Sequence, residues 1–433
     1  MAPSGPYFES TMTKPRTRSN LSRRAFLRAI GAGALATFLA ACADGRSPTS
    51  LTSPSTPVPT ASAAPSTPAP TASTATASPS PSVGPFGELD LRAKIAQMLL
   101  VGFRGLTVKD AATTVADIAD RGLGGVLLFD YDSPTRRYDR NVASPDQLRA
   151  LVAGLRKAAT IPLLVAIDEE GGQVDRLKAR YGFPATISEA DLGARDDAAY
   201  TRRRAKAIGE TLADLGIDLD LAPVVDLDVN PTNPAIGALD RSFSADPAVV
   251  TRQGLAYLAG LHDAGVAGTL KHFPGHGSST ADTHLGWVDV TDTWTETELV
   301  PFRDIIANGD VDAVLVAHVF DADLDPKYPA SLSGAVIEGM LRGDLGFDGV
   351  GITDDLQMGA LREVYGYPTA VERAIIAGAD ILTIANEQVY EPQIVATTID
   401  IVEAAVNAGR IEPARIDDAW RRISTLKAGL GST

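Results

Sequence analysis

The chain has one cysteine among its 433 residues, Cys42, so no disulfide can form within it. Its N-terminal apolar run, residues 29–41, is 13 residues long, whereas a bilayer-spanning helix needs about 20. Positive charge is in deficit, with 39 Lys and Arg against 54 Asp and Glu, a net charge of −15. Lys14, Arg16, Arg18, Arg23, Arg24 and Arg28 against Glu9 give residues 1–42 a charge of +5, which leaves −20 for the remainder. That balance argues against nucleic acid or an anionic surface as the main partner, and it says nothing about the fold. The 45% apolar and 21% charged content is ordinary for a soluble globular protein.

The position of the single cysteine accounts for its presence. Ser22-Arg23-Arg24-Ala25-Phe26-Leu27-Arg28 reads as a twin-arginine export signal followed by a short apolar run. Leu39-Ala40-Ala41-Cys42 reads as a lipobox, in which Cys42 is acylated and becomes the mature N-terminus. Residues 47–85 contain only Ser, Thr, Pro, Ala, Val, Leu and Gly, with no charge and no aromatic. Such a segment cannot bury enough apolar surface to offset its ordering entropy. It is expected to be a tether reaching about 100 Å at roughly 3.1 Å per residue. The organisation expected is a signal peptide over 1–42, a disordered linker over 43–86 and a catalytic domain over 87–433. The protein is then exported and anchored at the outer face of the cell membrane through a lipid on Cys42.

Beyond residue 87, apolar runs alternate with helical spacing. Candidate strands fall at 98–103, 125–129, 163–168, 217–223, 267–271, 313–318, 350–354 and 380–384. Eight strands with intervening helices predict an α/β domain, a single (β/α)8 barrel. The competing layout is a doubly wound open sheet, but no Gly-rich phosphate loop follows the first strand. Several strands end in polar residues, Asp168, Lys271, His318 and Asp354, which a common rim would bring around one pocket. Residues 416–430 have helical spacing and are expected to pack on the outside.

Three of the five histidines lie between Lys271 and His284, in Lys271-His272-Phe273-Pro274-Gly275-His276-Gly277-Ser278-Ser279-Thr280-Ala281-Asp282-Thr283-His284. The Gly and Pro residues allow a tight backbone path, and titratable groups crowded in such a loop suit an active site better than a core. The run resembles the signature of the NagZ-type β-N-acetylhexosaminidases of glycoside hydrolase family 3, K-H-F-P-G-H-G, four residues, then D-S-H. It departs only by Thr283 in place of serine. Thr353-Asp354-Asp355-Leu356-Gln357-Met358 resembles the family's S/T-D-D-L-x-M motif, and 168–176 resembles D-x-E-G-G-x-V-x-R. The likeness extends over 88–430.

What the resemblance implies is a retaining exo-acting β-N-acetylglucosaminidase that removes terminal GlcNAc, with peptidoglycan fragments as the expected source. Spacing alone does not choose between Asp354 and Asp355; the family makes Asp354 the nucleophile of a covalent glycosyl-enzyme and leaves Asp355 structural. The family also makes His284 the acid/base, oriented by Asp282. Residues two apart in an extended segment face the same side, so Asp282 can accept the second imidazole N–H and favour the imidazolium. Asp168, Arg176, Arg241, Lys271 and His272 are implied to bind sugar hydroxyls. No cofactor and no metal are expected, and the partners expected are a small glycan and, through the lipid alone, a membrane. The protein is expected to be a monomer.

Three rivals stand beside this. A metal-dependent hydrolase would use His272, His276, Asp282, His284, His318 and Asp354, although Lys271 would repel a cation. A non-catalytic sugar-binding lipoprotein would have no need of Asp354 and His284. A phosphorylase would keep the same site and use phosphate in place of water, since a histidine acid/base repels phosphate less than a carboxylate does.

Overall fold

The computed structural model describes residues 85–430, so the expected export signal, Cys42 and the tether up to residue 84 lie outside the described residues. All eight expected strands are present: β1 Leu99–Gly102, β2 Gly125–Leu128, β3 Leu164–Ile167, β4 Leu219–Asp220, β5 Thr269–Phe273, β6 Ala313–Val316, β7 Val350–Thr353 and β8 Leu382–Ile384. Every residue in them is buried. That is why most of them read as apolar runs, the pattern of parallel strands covered on both faces; β4, with Asp220, and β5, with Lys271 and His272, are the exceptions.

The strands pair in parallel within two sheets, ordered β4-β3-β2-β1-β8 and β5-β6-β7. Isolated parallel bridges link the edges of one sheet to the other, Leu219 with Ala267 and Val224 with Lys271 at one edge and Ile352 with Ile381 at the other. The expected continuous barrel ladder is thus interrupted in two places. One lies beside β4, where the apolar run 217–223 forms a ladder over only two residues and pairing with β5 resumes beyond Pro223, at Val224. Because all pairings are parallel, the C-terminal ends of the strands share one rim.

Helices fill the connections. In order they are α1 Leu91–Gln97, α2 Ala112–Arg121, α3 Pro145–Ala158, α4 Glu189–Arg195, α5 Ala198–Leu215, α6 Pro247–His262, α7 Val300–Asn308, α8 Gly359–Arg362, α9 Tyr367–Ala377, α10 Ile394–Asn407 and α11 Pro413–Leu430. A π-helical segment, Ala335–Asp344, sits between β6 and β7. α3 shows why these stretches are helical. Ser144 caps it by accepting from the Gln147 N–H, Pro145 occupies the first turn, and Leu148, Leu151, Val152 and Leu155 form the buried stripe. α5 and α6 pack closely because Gly260 has no side chain; a Cβ there would lie 2.4 Å from the Arg202 carbonyl oxygen. α11 follows the last strand and contacts α1 and β7, and its Trp420 ring lies 6.1 Å from that of Phe86.

Candidate active site

β5 positions the first cluster. It was expected to end at Lys271, but it continues through His272 to Phe273 with a register irregularity between Leu270 and Phe273. An irregularity of that kind re-aims side chains, and here both Lys271 and His272 reach one charge network. Lys271 Nζ lies 2.7 Å from Asp168 Oδ1 and 2.7 Å from Glu170 Oε1. Glu170 accepts two hydrogen bonds from Arg241, at 2.8 Å from Nε and 2.7 Å from the terminal nitrogen. Arg241 in turn lies 3.2 Å from His272 Nε2, and His272 Nδ1 lies 2.6 Å from Asp226 Oδ2. Arg176 lies 3.8 Å from Asp168, and its buried Nε has no hydrogen-bond partner. All five residues expected to bind sugar are therefore in one connected group.

Glu170 is the hub of that group. Burial alone would raise its carboxyl, but Arg241 and Lys271 hold it far below the usual range. Around it burial dominates: Glu169 and Glu189 are pushed well up, and Asp220 rises to about 7. Asp226, wholly buried, accepts the backbone N–H groups of His272 and His276 as well as the His272 ring. Burial would raise it too, yet His272 and His276 keep it ionised. Glu170 and Asp226 were not among the expected site residues. The signal for Glu170 lay inside the 168–176 motif, and Asp226 is a carboxylate set in the apolar stretch Val224-Val225-Asp226-Leu227.

Asp354 follows β7 directly, on the same rim. Burial would raise its carboxyl, but the imidazoles of His318, His284 and His272 and the Asp355 N–H lower it to about 2. It is a carboxylate at any physiological pH. Asp355 is raised by burial to about 7, and its Oδ1 accepts from Gln357 N–H at 3.1 Å and Ala385 N–H at 2.9 Å, tying the turn after β7 to the end of β8. The two neighbouring aspartates thus differ by their surroundings. His318, buried, has Nδ1 at 2.7 Å from Ser331 Oγ and Nε2 at 2.9 Å from the Asp355 carbonyl, so it braces the Asp354 turn.

His284 stands on the loop after β5, with 56% of its side chain exposed. Its Nδ1 lies 2.7 Å from Asp282 Oδ1, which also accepts the His284 backbone N–H at 2.9 Å. Protein packed around the ring disfavours the cation, but the Asp282 hydrogen bond and the charge of Asp354 raise its pKa overall. With Nδ1–H held by Asp282, Nε2 is the nitrogen left for proton exchange. His276 is buried behind this loop, its Nε2 at 3.3 Å from Thr283 Oγ1, and burial beside His272 lowers it to about 4. Glu387, just past β8, feels the charges of Arg176, Arg140, His284 and Asp168 while burial raises its carboxyl. No sequence motif pointed to it.

Among the described residues, no three His, Cys, Asp or Glu side chains are grouped to hold a metal ion. A cavity of about 420 Å³ lies at the opposite ends of the strands, lined by His262, Asp312, Asp348, Arg421 and Arg422. It lies away from all of the groups above, so chemistry rather than volume marks the site.

The model of the glycosyl hydrolase family 3 N-terminal domain matches residues 90–426. The chain is similar to the β-hexosaminidase LpqI of Mycobacterium tuberculosis, 35% identical over 408 residues, covering 91% of this chain and 95% of that one. Among solved structures it resembles a family 3 β-N-acetylglucosaminidase from a Paenibacillus strain, with a TM-score of 0.73 and 38% identity over 79% of this chain; the match spans 63% of that longer enzyme. A β-N-acetylhexosaminidase from Beutenbergia cavernae matches with a TM-score of 0.71 and 32% identity, covering 79% of this chain and 99% of that one.

Proposed function

The chain belongs to glycosyl hydrolase family 3 and is a glycoside hydrolase of β-hexosaminidase type; from that premise we propose that it is a retaining exo-β-N-acetylglucosaminidase in which Asp354 and His284 act on one sugar ring. His284, as the imidazolium, gives its Nε2 proton to the glycosidic oxygen while an Asp354 oxygen bonds to the anomeric carbon and the C1–O bond breaks. Neutral His284 then takes a proton from water, the water oxygen bonds to C1, and the ester to Asp354 breaks. Asp282 keeps the ring oriented and stabilises its charged form. Asp168, Arg176, Arg241, Lys271 and His272 hold the sugar hydroxyls, with Glu170 fixing Arg241 and Lys271 and Asp226 fixing His272.

The observation that carries this reading is geometric: the His284 imidazole, held by Asp282 at 2.7 Å, stands on a loop hydrogen-bonded to Gly359, five positions beyond Asp354, and each charge then favours the charged form of the other. One group is thereby kept as an acid and the other as an anion at the same pH, as the two steps require. We read the two linked sheets as one closed (β/α)8 barrel, a reading supported by the bridges at both edges. The proposal extends to a monomer, lipid-anchored at Cys42 after twin-arginine export, that trims GlcNAc from peptidoglycan fragments. The test is hydrolysis of an aryl β-GlcNAc by wild type, Asp354→Ala and His284→Ala. The aspartate variant should be inactive, and the histidine variant should retain more activity on a good leaving group than on a natural glycan. An Asp354→Ala enzyme as active as wild type would sink the reading.

A further inference from the structure

The Asp282 contact orients the His284 ring within its own loop, but it does not fix that loop relative to Asp354. Three other residues do. Gly359, at the start of α8 and five positions beyond Asp354, donates its N–H to the His284 carbonyl at 3.4 Å, and Ala360 donates to the Thr283 carbonyl at 3.3 Å. The loop occupies the space that a side chain at 359 would need. A Cβ there would lie 3.0 Å from the Leu285 carbonyl carbon and 3.1 Å from both Gly286 N and His284 O. From the β8 side, Gln388 Nε2 donates to the same His284 carbonyl at 3.0 Å.

The segment bearing Gln388 is itself fastened to the Asp354 turn. Asn386 N–H donates to Gln357 Oε1 at 2.8 Å, Gln357 Nε2 donates to the Val389 carbonyl at 3.3 Å, and Ala385 N–H reaches Asp355. His284 is thus held from two sides by the element that carries Asp354, directly through Gly359 and indirectly through Gln357 and Gln388. The His276 contact to Thr283 adds a hold from beneath.

We propose that Gln388 and Gly359 are positioning residues that set the separation between the His284 imidazole and the Asp354 carboxylate. This rests on the reading of His284 as the acid/base. Neither residue needs to touch the substrate. Displacing the loop by about 1 Å costs on the order of a hundredfold in a geometry-limited step, so partial loosening is expected to cost less.

The test compares Gln388→Ala, the isosteric Gln388→Glu (which loses the donor) and Gly359→Ala with His284→Ala. The substrates are 2,4-dinitrophenyl β-GlcNAc, whose leaving group needs no proton, and phenyl β-GlcNAc, whose leaving group does. Both Gln388 variants should lose roughly tenfold in kcat/KM, which reports the step that expels the leaving group, on the phenyl substrate and less than about twofold on the dinitrophenyl one, with melting temperatures near wild type. Gly359→Ala should show the same selectivity, more strongly. Equal losses on both substrates would overturn the proposal, because a general structural defect does not discriminate between leaving groups. So would unchanged kinetics in the Gln388 variants while His284→Ala shows strong leaving-group dependence. If His284→Ala itself shows none, the acid/base reading falls first and this inference falls with it.

Discussion

Replacing Glu170 with glutamine tests the charge network at its centre. Glu170 is 1% exposed, accepts from Arg241 at 2.7 and 2.8 Å, and lies 2.7 Å from Lys271 Nζ. Glutamine keeps the shape, removes the charge and turns an amide N–H toward a cation. Lys271 would keep Asp168, and Arg241 would keep the Ala235 carbonyl and His272. Neither would keep its shared anion. Removing one partner from a buried pair costs about 3–5 kcal/mol, and two cations depend on this one. Asp196→Asn is the control: its pair with Arg252 has side chains 45% and 44% exposed, and such pairs contribute less than about 1 kcal/mol. The sign of the pH dependence follows from the lowered carboxyl. A carboxylate whose folded pKa is depressed contributes stability that is fully present above its unfolded value and is lost only as pH falls through the folded one. The deficit of Glu170→Gln in urea unfolding should therefore be fully present at pH 6, above the ordinary carboxylate range, at ~3 kcal/mol or more. A deficit no larger than that of Asp196→Asn would refute the claim that Glu170 is the hub.

Two further outcomes follow from the titrating groups. His284 is raised above the ordinary imidazole value by Asp282 and Asp354, so the alkaline limb of kcat/KM should lie above about pH 6.5. Asp282→Asn should move that limb to lower pH; an unmoved limb would show that Asp282 does not support the imidazolium. Lys427 is buried, donates to Gln97 Oε1 and the Gly124 carbonyl, and is lowered by burial to about 7. Between that value and the ordinary lysine value the unfolded chain binds more protons, so wild-type stability should gain from this group as pH rises from 7 to 9. Lys427→Met should lack that component in denaturation curves, and equal slopes for both proteins would contradict it.

The strand pattern was legible because the strands are buried on both faces and most leave an apolar run. The ends were less legible. β5 was read as stopping at Lys271, since a lysine and a histidine do not look like strand interior; their charges are matched by Asp168, Glu170 and Asp226 from elements far away in the chain. The same reason hid Glu170 and Asp226 as site residues. A buried carboxylate's role depends on which cations face it, and that is a property of the assembled rim. The difference between Asp354 and Asp355 was likewise open in the residues. It lies in three imidazoles near one and two backbone N–H groups on the other. Gln388 carries no motif at all, and its link to His284 spans 104 positions.

The central claim is that an Asp354 oxygen forms a bond to the anomeric carbon. It is tested most directly by incubating the enzyme with a 5-fluoro β-GlcNAc fluoride, whose fast departure and slow turnover accumulate the intermediate, and sequencing the labelled peptide by mass spectrometry. The prediction is one sugar attached to Asp354. A label on Asp355 or Glu170, or turnover of the fluoride with no protein-bound sugar at any time, would contradict it.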